Sequence, residues 1–189
     1  MKKVVAAALL SVLPLTAAVA ADADMQARVE KSKAAIADFF GTLKGELEKA
    51  MKEGGPLTAI NVCHKTASAL TEISSQKHGI QISRVSVKNR NPNNAPDAWE
   101  QGVLAKFEER KAAGEDVQAI AYSEVVEKDG RKQFRFMKAI PTGEVCLKCH
   151  GEAIDEKVAA KLDEYYPQDK ARGYKLGDIR GAFSVKQDM

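Results

Sequence analysis

The chain has 189 residues, enough for one domain with a real hydrophobic core. Its 29 basic and 26 acidic residues nearly balance, which excludes binding to nucleic acid or anionic lipid driven by net charge alone. Three cysteines are too few for a disulfide-stapled scaffold, and no repeat, low-complexity block or long Gly/Ser linker divides the sequence.

The chain opens with "MKKVVAAALLSVLPLTAAVAADAD". Lys2 and Lys3 precede an apolar run from Val4 to Val19, and small residues follow at Ala18-Val19-Ala20 and Ala21-Asp22-Ala23. This is the pattern of a secretory signal peptide over residues 1–20, cleaved after Ala20 or Ala23. A retained anchor fits less well, because the run is short for a span of roughly 20 residues and contains Pro14. Cleavage removes two of the 29 basic groups, leaving 27 against 26, a net of about +1. The expected mature protein is periplasmic, with no membrane span.

Residues 21–56 form an N-terminal helical segment. Val29, Ile36, Phe39, Phe40, Leu43, Leu47 and Met51 recur at steps of three and four, predicting a helix over 25–53. Its apolar stripe can pack on its own domain or on a second copy, so a homodimer through this helix is one expectation. "GGP" at 54–56 ends it. Residues 57–189 then make up the main domain.

A second helix is expected over 57–76, closed by "KHG". "IQISRVSVK" at 80–88 reads as a strand whose apolar side switches partway, predicting a bulge or turn. "NRNPNNAPD" is a loop. The next helix runs to about Ala113 and buries Trp99, Val103, Leu104 and Phe107. Strands over 117–126 and 131–140 flank "KDG", a hairpin signal. A short helix over 153–165 leads to a last strand at 179–186, where Ile179, Phe183 and Val185 alternate with Arg180, Ser184 and Lys186. These elements predict an α+β fold, an antiparallel sheet with helices on one face.

Cys146-Leu147-Lys148-Cys149-His150 matches C-x-x-C-H, the attachment signature of c-type haem. Two thiols at this spacing reach one edge of a porphyrin, and the adjacent histidine falls under the iron. Covalent attachment through Cys146 and Cys149, with His150 as proximal ligand, therefore predicts one haem c. Export agrees with this chemistry. A thioredoxin-type dithiol expects an early βα unit, which this late motif lacks. A zinc site from Cys63, His64, Cys146, Cys149 and His150 has enough soft donors, but Cys63-His64 is not a second short-spaced pair.

For the second axial position the candidates are Cys63, His64, His78 and a methionine. Met189 ends the chain, where backbone frays, and Met137 reads as core filling. His78 sits where a basic residue complements a helix C-terminus. Ile60, Cys63, Ala67 and Leu70 share one helical stripe, which places Cys63 on the buried face and His64 on the wetter one. An unpaired thiol is a hazard in an oxidising compartment unless a metal holds it. Cys63 is thus the favoured distal ligand, with His64 the alternative. Arg84 and Arg90 are candidate partners for haem propionates through their planar forks, against a plainer role in loop anchoring. Tyr165, Tyr166 and Tyr174 read as packing residues.

The stretches "NVCHKTASAL" (61–70), "SRVSVKNRNPNNAPDAWE" (83–100), "FRFMKAI" (134–140), "CLKCHGE" (146–152) and "YPQDKARGYKLGDIRGAFSV" (166–185) together resemble a known family. It comprises exported monohaem c-type domains with a PAS-like fold, long catalogued as a domain of unknown function. The resemblance implies a sheet of about five antiparallel strands with helices packed around it. It also implies His150 and Cys63 as the axial pair, with Cys63 standing at the matching helical position.

The expected function is electron transfer by a six-coordinate, low-potential cytochrome, since a thiolate ligand pushes electron density onto iron. The alternative is a redox or gas sensor in which Cys63 leaves the iron on reduction. A cytochrome c′-like bundle is disfavoured by the strand signals. No catalytic triad, phosphate-binding Gly loop or paired carboxylates mark an enzyme, and the redox partner is not specified by the sequence.

Overall fold

Gly54 and Gly55 divide the longest element in the chain. In the computed structural model, which describes residues 15–189, α1 runs from Leu15 to His78 but is broken at these two glycines. Gly55 has φ of 69°, a left-handed conformation that a side chain would resist. The break falls where "GGP" predicted it, so α1 is two helical arms. Of the expected leader over 1–20, residues 1–14 lie outside the described residues, as do the side chains of 15–20. No described helix is long and apolar enough to cross a membrane.

After α1 come β1 (Gln81–Val85), a 3-10 turn (Pro92–Asn94), α2 (Ala98–Ala112), β2 (Ala121–Lys128) and β3 (Arg131–Pro141). Then follow α3 (Glu144–His150), α4 (Glu156–Tyr165) and β4 (Ile179–Asp188). The fold is α+β, with a fully antiparallel sheet in the order β1-β4-β3-β2. Among the described residues it has four strands rather than about five.

Local chemistry explains where the strands deviate from expectation. β1 stops at Val85 because Ser86 turns away, its amide bonded to the Asn94 carbonyl at 3.1 Å. Val87 is consequently exposed, so the switch in apolar side is a turn and not a bulge. β2 begins at Ala121, because residues 117–120 form a turn closed by the Ile120 amide on the Val117 carbonyl. α2 is fixed by a capping box, in which Asp97 accepts from the Glu100 amide and Glu100 accepts from the Asp97 amide.

Helices cover both faces of the sheet, not one. On the first face, Val103, Leu104 and Phe107 of α2 pack on Met137, Ala139 and Ala182. On the second, Ala35, Ile36 and Phe39 of the first α1 arm pack on Phe134, Phe136 and Val185. This arm therefore buries its stripe against its own sheet. The four consecutive buried residues Phe134–Met137 supply both layers. Arg135 hides this in the sequence: it belongs to the α2 face yet is buried, bonded to Glu100 at 2.9 Å and stacked on Trp99. A smaller cluster joins Ile60 of the second α1 arm to Val158 and Leu162 of α4. The two arms are also tied together by Asp38, which accepts from Lys77 at 2.8 Å and pairs with His78 at 3.0 Å.

Candidate functional site

The cysteine motif forms α3, whose first turn starts at Gly143 and whose end is capped by the Gly151 amide on the Leu147 carbonyl. Helical geometry brings Cys146, Cys149 and His150 to one side, and all three line a cavity of about 250 Å³. Cys63, from the second arm of α1, lines the same cavity. Its apolar wall comes from Phe40, Leu43, Leu47 and Met51 on the first arm, and Tyr166 and Phe183 add aromatic surface.

The other candidates for the distal position lie elsewhere. His64 stacks on Tyr165 with ring centroids 4.6 Å apart, and Tyr165 donates to Asn61 at 2.7 Å. His78 pairs with Asp38. Met137 is fully buried on the α2 face of the sheet. The Met189 amide bonds to Lys132 at the far end of β4. Met51, which helical periodicity marked only as an apolar position, does reach the cavity. Among the described residues, no three His, Cys, Asp or Glu side chains are gathered tightly enough to hold a metal ion unaided.

His150 is held in one tautomer. Its Nδ1 lies 2.7 Å from the Ala171 carbonyl, which can only accept, so Nδ1 carries the proton and Nε2 keeps its lone pair. Burial pushes the His150 pKa well below its ordinary value, and the charges of Arg180 and Arg90 add to this. The ring is therefore a neutral imidazole, the form that ligates metals. Tyr174 packs edge-on against it at 6.3 Å. Burial pushes the Cys63 thiol up, with Arg84 and Arg90 opposing. A bound cation would reverse that balance in favour of thiolate.

Three guanidinium groups surround the cavity: Arg84, Arg90 and Arg180. Arg90 is engaged. It donates to the Cys149 and Ala171 carbonyls and pairs with Asp169 at 3.1 Å. Burial pushes the Asp169 carboxyl up, but hydrogen bonds from Arg90 and the Ala171 amide outweigh it and hold the group below its ordinary range. Arg180 donates to the Lys88 carbonyl at 3.4 Å and lies over the Tyr174 ring, and among the described residues its buried Nε has no hydrogen-bond partner. Burial depresses the pKa of Arg84 and of Arg180, outweighing Cys63 and Tyr166 at Arg84 and Tyr174 at Arg180.

Sequence reasoning missed Arg180 because it assumed regular alternation along the last strand. A register shift at Ile140/Pro141 interrupts the β3–β4 ladder, and Arg180 and Gly181 both line the cavity. Gly181 is required there: it has φ of 150°, and a Cβ would lie 2.3 Å from the Val85 carbonyl oxygen. A bulge leaves no composition signal, although glycine within an otherwise apolar strand is a hint.

The donor set fits a c-type haem on the chain's own chemistry. Two thiols and a neutral imidazole share a cavity with a third thiol and an apolar wall. Among the described residues, the half-buried Arg84 and Arg180 line the cavity without a carboxylate partner, which suits the two propionates of a haem.

A family model described as "Tll0287-like" and "Tll0287" matches residues 15–187. No curated protein matches the chain. Among solved structures, the chain is similar to the one titled "Crystal structure of the cyanobacterial heme-protein Tll0287". The TM-score is 0.65 at 25% sequence identity, covering 86% of this chain and 95% of that one. The family match spans every stretch that carried the resemblance in the sequence, and the chain belongs to the Tll0287-like family.

Proposed function

We propose that the protein is an exported, c-type monohaem redox carrier with His150 and Cys63 as axial ligands. The observation that carries this reading is the convergence of Cys63 with Cys146, Cys149 and His150 on one cavity. The relative described as a heme protein supports it. Haem bound there supplies one-electron chemistry at its iron. The rest is done by the chain. Cys146 and Cys149 would hold the haem through thioethers. The Ala171 carbonyl orients His150 so that Nε2 is its free donor. Arg84 and Arg180 neutralise the propionates. Leu43, Leu47, Met51 and Phe183 give the cavity an apolar wall that would disfavour water beside the iron. With Cys63 and His150 both engaged by the iron, the site would carry electrons. A thiolate partner favours the oxidised state and a low potential.

Mass spectrometry of protein matured in an exporting host tests the cofactor, the expected result being one haem added covalently and lost in a Cys146→Ser/Cys149→Ser variant. A mature N-terminus at Ala21 or Asp24 is expected in the same spectrum. A sensor is the second reading, in which Cys63 would leave the iron on reduction; the non-helical Gly54-Gly55 pair between the two arms is the feature that favours it. Rapid carbon monoxide binding by the reduced protein supports sensing, and its absence supports the carrier.

A further inference from the structure

The Ala171 carbonyl is shared. It accepts from His150 Nδ1 at 2.7 Å and from Arg90 Nη2 at 3.3 Å. The same Nη2 donates to the Cys149 carbonyl, so one guanidinium touches the residue before His150 and the acceptor of its ring proton. Arg90 is held by Asp169, whose side chain is 2% exposed, and Asp169 in turn binds the Ala171 amide at 2.9 Å and Arg172 Nε at 3.0 Å. Arg90 also lies over the Tyr166 ring, which leaves it little freedom to swing away. The loop bearing Ala171 is itself clamped to α3: the Tyr174 amide bonds to the His150 carbonyl at 2.9 Å and the Gly173 amide to the Gly151 carbonyl at 3.0 Å. Asp169, Arg90 and Ala171 thus form a rigid frame around the histidine.

We propose that Arg90, fixed by Asp169, is a positioning residue that sets the donor strength of His150 by competing for the Ala171 carbonyl. This rests on the haem reading above, and goes beyond it by giving Arg90 a task other than propionate binding. The physics is that of a shared acceptor. A cation on one lone pair of a carbonyl draws density away from the other. The Nδ1–H bond is then less polarised, the ring has less imidazolate character, and it donates less to iron. Partners of this kind tune metal ligands throughout metalloproteins. Opposed to the electron-rich thiolate of Cys63, the competition raises the midpoint potential, by a route separate from the field of the Arg90 charge.

The test uses histidine-labelled holoprotein, reduced and saturated with carbon monoxide so that the iron is diamagnetic whichever group holds the far position. The readouts are the His150 Nδ1–H proton resonance and, in the absence of carbon monoxide, the midpoint potential. Arg90→Lys keeps the charge, and Arg90→Gln removes it. Both are expected to move the Nδ1–H resonance downfield by similar amounts, and both to lower the potential, Arg90→Gln by more. A pure charge effect would leave the resonance in place and the Arg90→Lys potential unchanged, which overturns the proposal. Loss of attached haem in both variants also overturns it, because Arg90 would then serve assembly rather than tuning. A wild-type protein with no covalent haem, or with no such resonance, contradicts the haem reading itself. A wild-type resonance that neither substitution moves contradicts the tuning role alone.

Discussion

Cys63 of α1 and His150 of α3 line one cavity, although the chain between them builds three of the four strands. Their neighbour His64, one residue along, does not line that cavity and packs on Tyr165 and Tyr166. The two positions therefore separate cleanly in mutagenesis. Cys63→Ala is expected to change the visible spectrum and to raise the midpoint potential by on the order of 0.1 V, a fraction of the ~0.8 V range that axial ligands command. His64→Ala is expected to leave the spectrum alone, and a spectrum altered only by His64→Ala would reverse the assignment.

Arg180 offers a second check, because it lines the cavity and, among the described residues, pairs with no carboxylate. Arg180→Leu is expected to lower the midpoint potential by tens of millivolts, roughly what one nearby unit charge is worth at an effective dielectric of about 20. Arg84→Leu is expected to act in the same direction. Spectroelectrochemical titration of each holoprotein reads the effect, and a rise in either would mean the guanidinium is not electrostatically coupled to the iron.

Gly181 lets β1 and β4 approach where the cavity meets the sheet. Gly181→Ala puts a Cβ 2.3 Å from the Val85 carbonyl oxygen in a backbone conformation with φ of 150°. A loss of about 1–3 kcal/mol in unfolding free energy is expected, the usual range for backbone strain or overpacking at one site. Denaturant unfolding of the two holoproteins measures it, and a difference below about 0.5 kcal/mol would mean that the bulge relaxes freely.

The motif and the helical phase of Cys63 were readable because both are local. C-x-x-C-H is a covalent spacing, and a buried stripe follows from steps of three and four within one helix. Arg180 was not readable, because its direction depends on a bulge set by pairing with β3. That helices cover both faces of the sheet was hidden for a related reason. Arg135 looks like a solvent residue until Glu100, 35 positions earlier, is known to stand over it. Long-range pairing of charges turns a polar position into a core position, and no window of sequence contains both partners.

That charge network also gives the fold a pH dependence away from the cavity. Burial pushes the Asp97 carboxyl up, but hydrogen bonds from Arg135 and from the Glu100 amide outweigh it and bring its pKa down to about 2. A carboxylate depressed in the folded state stabilises above its unfolded value of 3.8 and loses that contribution as pH falls toward 2. Asp97 is partly exposed, so screening reduces the contribution to roughly 1 kcal/mol. Asp97→Asn is expected to lose about this much stability at pH 7 and to show a flatter stability profile between pH 4 and 2. An unchanged profile would place the acid sensitivity in another group.

The central claim is that Cys63 and His150 ligate one haem iron. Low-temperature electron paramagnetic resonance of the ferric protein tests it most directly. A low-spin signal with a narrow spread of g values, lost in Cys63→Ala, is the expected result. A widely spread low-spin signal, or a high-spin signal from an open axial position, would contradict it.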